Sequence, residues 1–284
     1  MAYTLLAGIH HPPVPVSHRN EDYDESGFAT LLNMQQRHFW YRGRHRFLLE
    51  ACKPVLFRQD ASPGTRSLPA VIDFGGGVGG WVRHLEQHGQ SQFSHLALAD
   101  SSLQALTMAG EVLSPTTERY HVDLMNLCMH DQWDAAFLLD VLEHVHEDAH
   151  VLRQIKEALK PGGHLFVTTP ALQQFWSYND AFWNHKRRYC RADFRQLAHA
   201  TGLTLCDARY FMFFLSPLYL FSRLRPGARP LDERERRRRI LRQHRIPSAP
   251  VNALLSAVFA AETPLGHWLR FPWGTSILGV FQKV

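Results

Sequence analysis

Between residues 70 and 211 the hydrophobic positions fall in short runs separated by longer amphipathic stretches. Ala70–Phe74 is an apolar run that stops at glycines, which reads as a buried strand and a turn. Gly79–His88 has helical spacing. His95–Ala99 is a second strand closing at Asp100, and Ser101 or Ser102 can cap the helix that runs to Leu113. Arg119–Val122, Asp134–Leu139 and His164–Thr168 continue the series of strands. A helix over Ala149–Leu159, closed by Pro161-Gly162-Gly163, precedes the last of these. A helix over Arg191–Ala200, stopped by Gly202, leads to a sixth strand at Leu203–Phe211. Alternation of this kind predicts an α/β fold: a mostly parallel sheet with helices on both faces.

The flanks break that rhythm. Residues 1–25 are polar and proline-bearing and read as a loose leader. Ser26 to Cys52 repeats like a helix, and Pro54 with Asp60–Pro69 reads as a linker, so 26–69 is expected to be a helical lid and its tether. Residues 70–211 form the core unit, and 212–272 read as a helical insertion or cap. The apolar, β-branched run Thr275–Phe281 predicts that 273–284 returns as a seventh strand.

Composition narrows the picture modestly. A chain of 284 residues, 45% hydrophobic and 20% charged, can bury one sizeable core. No apolar run reaches the roughly 18 residues that span a bilayer, and Met1–Ile9 is too short for a secretory signal. A reducing, cytoplasmic compartment is therefore expected. The four cysteines lack metal-ligand spacing and the histidines are dispersed, so no metal is expected. The net charge is +5, and Arg234, Arg236, Arg237, Arg238, Arg239, Arg242 and Arg245 crowd into one stretch beside the apolar run Tyr210–Phe221. Three uses of that region stay open: a cap on the pocket, a peripheral contact of 210–245 with the anionic inner face of a membrane, and a contact between copies. Asp232, Glu233 and Glu235 dilute the run and aromatics do not interleave it, which disfavours nucleic acid as a partner.

The chemistry concentrates at the first turn. Val71-Ile-Asp-Phe-Gly-Gly-Gly-Val-Gly-Gly80 satisfies the dinucleotide pattern through Gly75, Gly77 and Gly80. It equally satisfies an acid-x-Gly-x-Gly-x-Gly pattern through Asp73, Gly75, Gly77 and Gly79. Asp100 ends the second strand, where a carboxylate accepts both hydroxyls of a ribose, and this suits either reading. Asp123, after the third strand, and the string Ala135-Ala-Phe-Leu-Leu-Asp-Val-Leu-Glu-His-Val145 are features that a dehydrogenase does not require.

With Leu159-Lys-Pro-Gly-Gly-His-Leu165, that string makes the stretch from about Ala70 to Pro170 resemble the core of the class I S-adenosylmethionine-dependent methyltransferases. Within them it resembles the branch that includes the ubiquinone- and menaquinone-biosynthesis enzymes. His38-Phe-Trp-Tyr-Arg-Gly-Arg44, Phe182-Trp-Asn-His-Lys-Arg-Arg-Tyr189 and Pro272-Trp-Gly-Thr-Ser-Ile-Leu278 are similar to segments of a bacterial subgroup whose substrates are often unassigned. The resemblance implies a Rossmann-like seven-stranded sheet and S-adenosylmethionine as cofactor.

It also implies roles. Gly75, Gly77 and Gly79 would pass beneath the cofactor's amino-acid tail, with Asp73 near its ammonium. Asp100 and Ser101 would meet the ribose, and Asp123 and Leu124 the adenine. Asp140 and Leu142 would edge the tail and methyl group. Trp40 and Arg42 would close over it from the N-terminal helix, Arg42 being preferred to Arg44 for pairing with the tail carboxylate. His144, then His185, are the candidate bases. Trp176, Arg187, Arg188 and Tyr189 would face the acceptor, a small molecule or a lipid- or glycan-linked intermediate, with O-methylation favoured. The rival readings are a non-catalytic cofactor-binding protein, a nucleotide-dependent oxidoreductase and an RNA methyltransferase.

Overall fold

The structure is a computed structural model that describes residues 3–18, 27–57, 68–89, 92–221 and 245–284. Among them β3 (Ala70–Phe74), β4 (His95–Asp100), β5 (Glu118–His121), β6 (Trp133–Leu139), β7 (Leu159–Pro170), β8 (Thr204–Phe211) and β9 (Ser276–Gln282) build the predicted sheet. The hairpin β1 (Thr4–Leu6) and β2 (Ile9–His11) extends it to nine strands in the order β1-β2-β5-β4-β3-β6-β7-β9-β8. This corrects two expectations: part of the presumed loose leader is a hairpin, and the sheet exceeds seven strands. His10 stacks on Tyr120 of β5 at 4.5 Å, which anchors the hairpin to the sheet edge. The final strand β9 lies antiparallel between β7 and β8.

Strand alternation sorts the core onto two faces. Ile72, Ala97, Ala136, Leu138 and Val167 pack with Val151, Leu152 and Ile155 of α5 (Asp148–Ala158) and with Phe194 and Leu197 of α7 (Arg191–Thr201). Their neighbours Val71, Leu98, Ala135, Phe137 and Phe166 point the other way. That second face is covered by α2 (Phe39–Leu56), α3 (Gly80–Gly89), α4 (Leu103–Gly110) and Phe259 of α9 (Ala249–Trp268). Both faces of the strands are therefore apolar, as buried parallel sheets require.

The single helix expected over 26–52 is two, α1 (Phe28–Arg37) and α2. His38 takes an extended backbone between them, and its ring accepts the amide of Trp40 at 3.2 Å. The apolar pattern runs on through the break, so periodicity does not reveal it. The helix also continues past Pro54, where a linker is predicted. In the insertion only Ser216–Phe221 (α8) and α9 are described helices, α6 being the short Tyr178–Phe182, and the arginine run up to residue 244 lies outside the described residues. α9 folds back on α2, with Phe259 filling the space that Gly43 leaves open. Asn252 ties the break itself, accepting from the amide of Phe39 and donating to the carbonyl of Arg37, each at 2.9 Å.

Candidate functional site

The strand order reverses at β3. From there the chain moves outward through β4 and β5, then returns to pair β6 against β3 on its other side. Ligands of such sheets sit beyond the carboxyl ends of the strands at this switch point, and that edge gathers Gly75–Gly79, Asp100 and Asp140.

The glycine turn is a tight cradle. Gly75, Gly77 and Gly79 have φ of +67°, +57° and +78°, which side chains rarely adopt. A Cβ on Gly75 would stand 2.7 Å from Cγ2 of Val141, and one on Gly79 would stand 2.9 Å from Leu113. Phe28 and Leu31 of α1 cover Gly77 from above, and Gln35 packs on Gly80.

The carboxylates around the turn are held individually. Asp100 is buried, and its two oxygens accept the amides of Gly77 at 2.8 Å and Ser102 at 2.9 Å. Each oxygen keeps further acceptor capacity. Ser101 bonds His18 through its hydroxyl at 2.9 Å. Asp123 turns its Oδ1 onto the amide of Met125 at 2.9 Å, and the Leu124 side chain packs partly into the core. Asp73 is buried within β3, and burial pushes its carboxyl up to about 8. Its Oδ1 is a buried oxygen without a hydrogen-bond partner.

Asp140 sits in the left-handed region at φ +56°, which turns its side chain off the end of β6. Its Oδ1 accepts from the hydroxyl of Thr168 at 3.1 Å and its Oδ2 from the guanidinium of Arg44. Arg44 is buried, and it lies over the rings of Trp40 at 4.9 Å and Tyr41 at 5.4 Å. Arg42 is exposed on the opposite side of α2, so the preference for it is overturned. Helical geometry explains why: positions four apart share a face, so the arginine beneath Trp40 is Arg44.

Beyond Asp140 a turn of 3₁₀ helix carries Leu142, Glu143 and His144. Leu142 is buried in the core, and the ring of His144 meets that of His185 edge to face at 4.8 Å. Glu143 is fully buried, and both its oxygens lack hydrogen-bond partners. Burial, with Asp140 close by, raises its carboxyl well above the usual range. Within its motif Glu143 carries no role that the sequence alone announces.

The expected acceptor-side residues divide. His185 donates or accepts at Asp180 through Nδ1 at 3.0 Å. Arg188 does not face a pocket: it is buried and forks onto both oxygens of Asp180, at 2.8 and 3.1 Å. Tyr189 is also buried, donating to the carbonyl of Leu142 or to Asp148. Arg187 pairs with Asp148 at 3.0 Å, and Trp176 is half-buried after the 3₁₀ turn Gln173–Phe175. Arg188 and Tyr189 are framework, because each spends its polar atoms inside the protein.

The residues fit S-adenosylmethionine better than a dinucleotide. The edge assembles Asp73, Asp100, Asp140 and Glu143, with Arg44 engaged by Asp140. Carboxyl groups gathered this way suit a cofactor that brings an ammonium and a sulfonium, whose positive charges favour their ionised form. A partnerless buried oxygen on Asp73 is an acceptor waiting for a donor.

Comparison with known proteins agrees. The profile of a methyltransferase domain matches residues 35–208, more than half of the chain. Among curated proteins none matches. Among solved structures, the Haloferax volcanii complex of the Trm112 methyltransferase activator with a methyltransferase aligns at 16% identity and TM-score 0.56, covering 93% of this chain and 96% of that one. A sarcosine dimethylglycine methyltransferase from Galdieria sulphuraria aligns at 18% identity and TM-score 0.52, covering 94% and 91%. Phosphoethanolamine N-methyltransferase 2 of Haemonchus contortus, solved with S-adenosylmethionine, aligns at 16% identity and TM-score 0.55, covering 97% of this chain and 61% of that one. These structures share the fold; the domain match carries the assignment, and the chain belongs to the methyltransferase-domain family as a class I S-adenosylmethionine-dependent methyltransferase.

Proposed function

We propose that the chain methylates a hydroxyl of a small-molecule or lipid- or glycan-linked acceptor. The observation that carries this reading is the juxtaposition of Asp140 with the Glu143, His144 and His185 cluster, next to the glycine cradle. Bound S-adenosylmethionine supplies an electrophilic methyl group on sulfur. Gly75 and Gly77 bring backbone close to its tail, Asp73 offers Oδ1 to the ammonium, and Asp100 takes the ribose hydroxyls. Asp123 and Leu124 border the adenine. Arg44, held by Asp140 and the Trp40 ring, is the partner for the tail carboxylate. Holding the reactants in line accounts for much of the rate, since well-oriented groups reach effective molarities on the order of 10⁵–10⁸ M. A hydroxyl must also lose its proton, and His144, whose ring meets that of His185 at 4.8 Å, is the base assigned to it, with His185 the second candidate.

The lipid-linked option has its own support. Phe214, Leu218 and Phe221 recur at helical spacing and are 42%, 58% and 68% exposed. Trp273, 44% exposed, is tied to the same helix, its Nε1 donating to the hydroxyl of Ser216 at 3.2 Å, and Trp268 at the end of α9 is 81% exposed. Exposed aromatics of this kind favour a membrane interface, and Arg223 and Arg225 lie just past Phe221 in the sequence.

Incubating the enzyme and methyl-labelled S-adenosylmethionine with metabolite and lipid extracts of cells lacking the protein tests the reading. The expected product is an O-methyl ether or ester. Label recovered solely on nitrogen or carbon would refute O-methylation. Flotation with phosphatidylserine vesicles tests the membrane contact, and Phe221→Ser with Trp268→Ser should abolish it.

A further inference from the structure

We infer that Glu143, His144 and His185 form a binding site for one divalent transition-metal ion, of the zinc type. One ligand atom from each lies within 4.8 Å of the others. Two imidazoles and a carboxylate are a common donor set for such ions, and they leave a fourth position open. The sequence expectation of no metal rested on histidines scattered along the chain; folding brings His144 and His185 ring to ring at 4.8 Å.

Three further observations point to a cation. First, Glu143 is fully buried with both oxygens lacking hydrogen-bond partners. A buried carboxyl without donors is costly, and a metal ion is the partner that would repay it. Second, His185 is oriented from behind. Its Nδ1 meets Asp180 at 3.0 Å, and Asp180 is in turn gripped by Arg188 at 2.8 Å, which leaves Nε2 as the ligand atom. A carboxylate behind a histidine is the usual outer support of a metal ligand. Third, the two ligand segments are fastened together by protein alone. The amide of Lys186 donates to the carbonyl of Glu143 at 2.6 Å, and the hydroxyl of Tyr189 reaches the carbonyl of Leu142 at 3.2 Å. Zinc ligands about 2.0–2.1 Å from the metal stand about 3.4 Å apart in a tetrahedron, so the cluster closes on an ion through side-chain rotations with this backbone frame in place.

The inference stands on this cluster and does not depend on the acceptor's identity; with the ion bound, His144 and His185 are its ligands and no longer the bases of the proposed function. Its test uses the full chain, stripped with chelator and titrated with cobalt(II) or zinc alone. One equivalent should bind, with visible cobalt absorption of a low-symmetry site. Glu143→Gln and His185→Ala should each weaken binding by at least tenfold, and Asp180→Asn by roughly 10–100-fold. His84→Ala, in a separate histidine group, should change nothing. Absence of stoichiometric binding, or equal affinity in Glu143→Gln, overturns the proposal. Should the variants fail to fold, cadmium-113 resonance of the wild-type protein decides: a shift in the nitrogen–oxygen range supports the site, and a thiolate-range shift or no bound signal refutes it.

Discussion

The guanidinium of Arg44 and the carboxylate of Asp140 join two elements far apart in the chain, the N-terminal α2 and the end of β6. Both side chains are largely withdrawn from water, at 6% and 21% exposure. Asp140 can reach Arg44 because its own backbone is left-handed, at φ +56°. The pair thus sets where α2 closes over the glycine turn, and it carries the first prediction. Arg44→Met should destabilise the protein by about 3–5 kcal/mol, the usual consequence of leaving a buried charge alone, and should weaken S-adenosylmethionine binding at least tenfold. Arg42→Met, on the exposed face, should stay within about 0.5 kcal/mol. Chemical denaturation and calorimetry on both variants check this, and equal behaviour would return the role to Arg42.

Asp73 makes stability depend on pH. Its carboxyl is pushed up to about 8 in the fold from 3.8, by burial first. Between those values the unfolded chain gives up a proton that the folded chain keeps, so rising pH favours unfolding, by up to about 1.4 kcal/mol per pH unit. Above about 8 both states are ionised and the loss levels off. Asp73→Asn removes the effect. The variant should match wild type near pH 4 and exceed it in melting temperature progressively toward pH 8. An ammonium beside Asp73 would reverse the burial effect, so cofactor binding near pH 7 should release a proton in wild type and none in Asp73→Asn. A melting difference that is flat across pH would remove Asp73 as the cause.

Much of the fold is legible from period alone, and the exceptions share a cause. The strands around Asp73 and Phe137 announce themselves because both faces are apolar. The β1–β2 hairpin goes unseen because its strands are three residues long and include His10, which stacks on Tyr120, and His11, which meets His121 edge to face, rather than filling a core. The site is legible where a residue's role follows from its place at a strand end, as for Asp100. It is illegible where the role depends on a partner from another element. Arg188 reads as a solvent or substrate contact until Asp180 is found buried against it. Glu143 reads as one letter of a motif until its carboxyl is found enclosed without donors.

Gly75 and Gly162 both have positive φ, +67° and +80°, yet differ in surroundings. Alanine at Gly162 would meet nothing within 4 Å. It should cost only the left-handed backbone, about 1–3 kcal/mol, and leave cofactor affinity intact. Alanine at Gly75 adds a Cβ 2.7 Å from Val141, the residue that follows Asp140. Relief of that overlap must move the Asp140 turn. Gly75→Ala should therefore lose S-adenosylmethionine binding more than tenfold besides its stability loss. Calorimetric titration of the two variants, with wild-type-like affinity in Gly75→Ala as the adverse result, separates strain from obstruction.

Glu262 fastens α9 to the end of β8. It is fully buried, and its two oxygens accept the amides of Phe213 at 3.0 Å and Phe214 at 2.9 Å, just where Met212 turns left-handed at φ +61°. Burial raises its carboxyl and these amides act against that. Glu262→Ala would orphan two backbone donors, each worth about 1–3 kcal/mol when buried and unsatisfied. The expected loss is about 2–5 kcal/mol in urea denaturation, with faster amide exchange at Phe213 and Phe214. Glu262→Gln keeps one acceptor but turns an amide donor toward the second N–H, so its loss should be intermediate. Because Phe214 opens the exposed apolar row that continues through Leu218, the alanine variant should also weaken vesicle flotation. A Glu262→Ala protein within about 0.5 kcal/mol of wild type would mean that this corner is held by the stack of Phe213 on Phe271, at 4.5 Å, and not by the carboxylate.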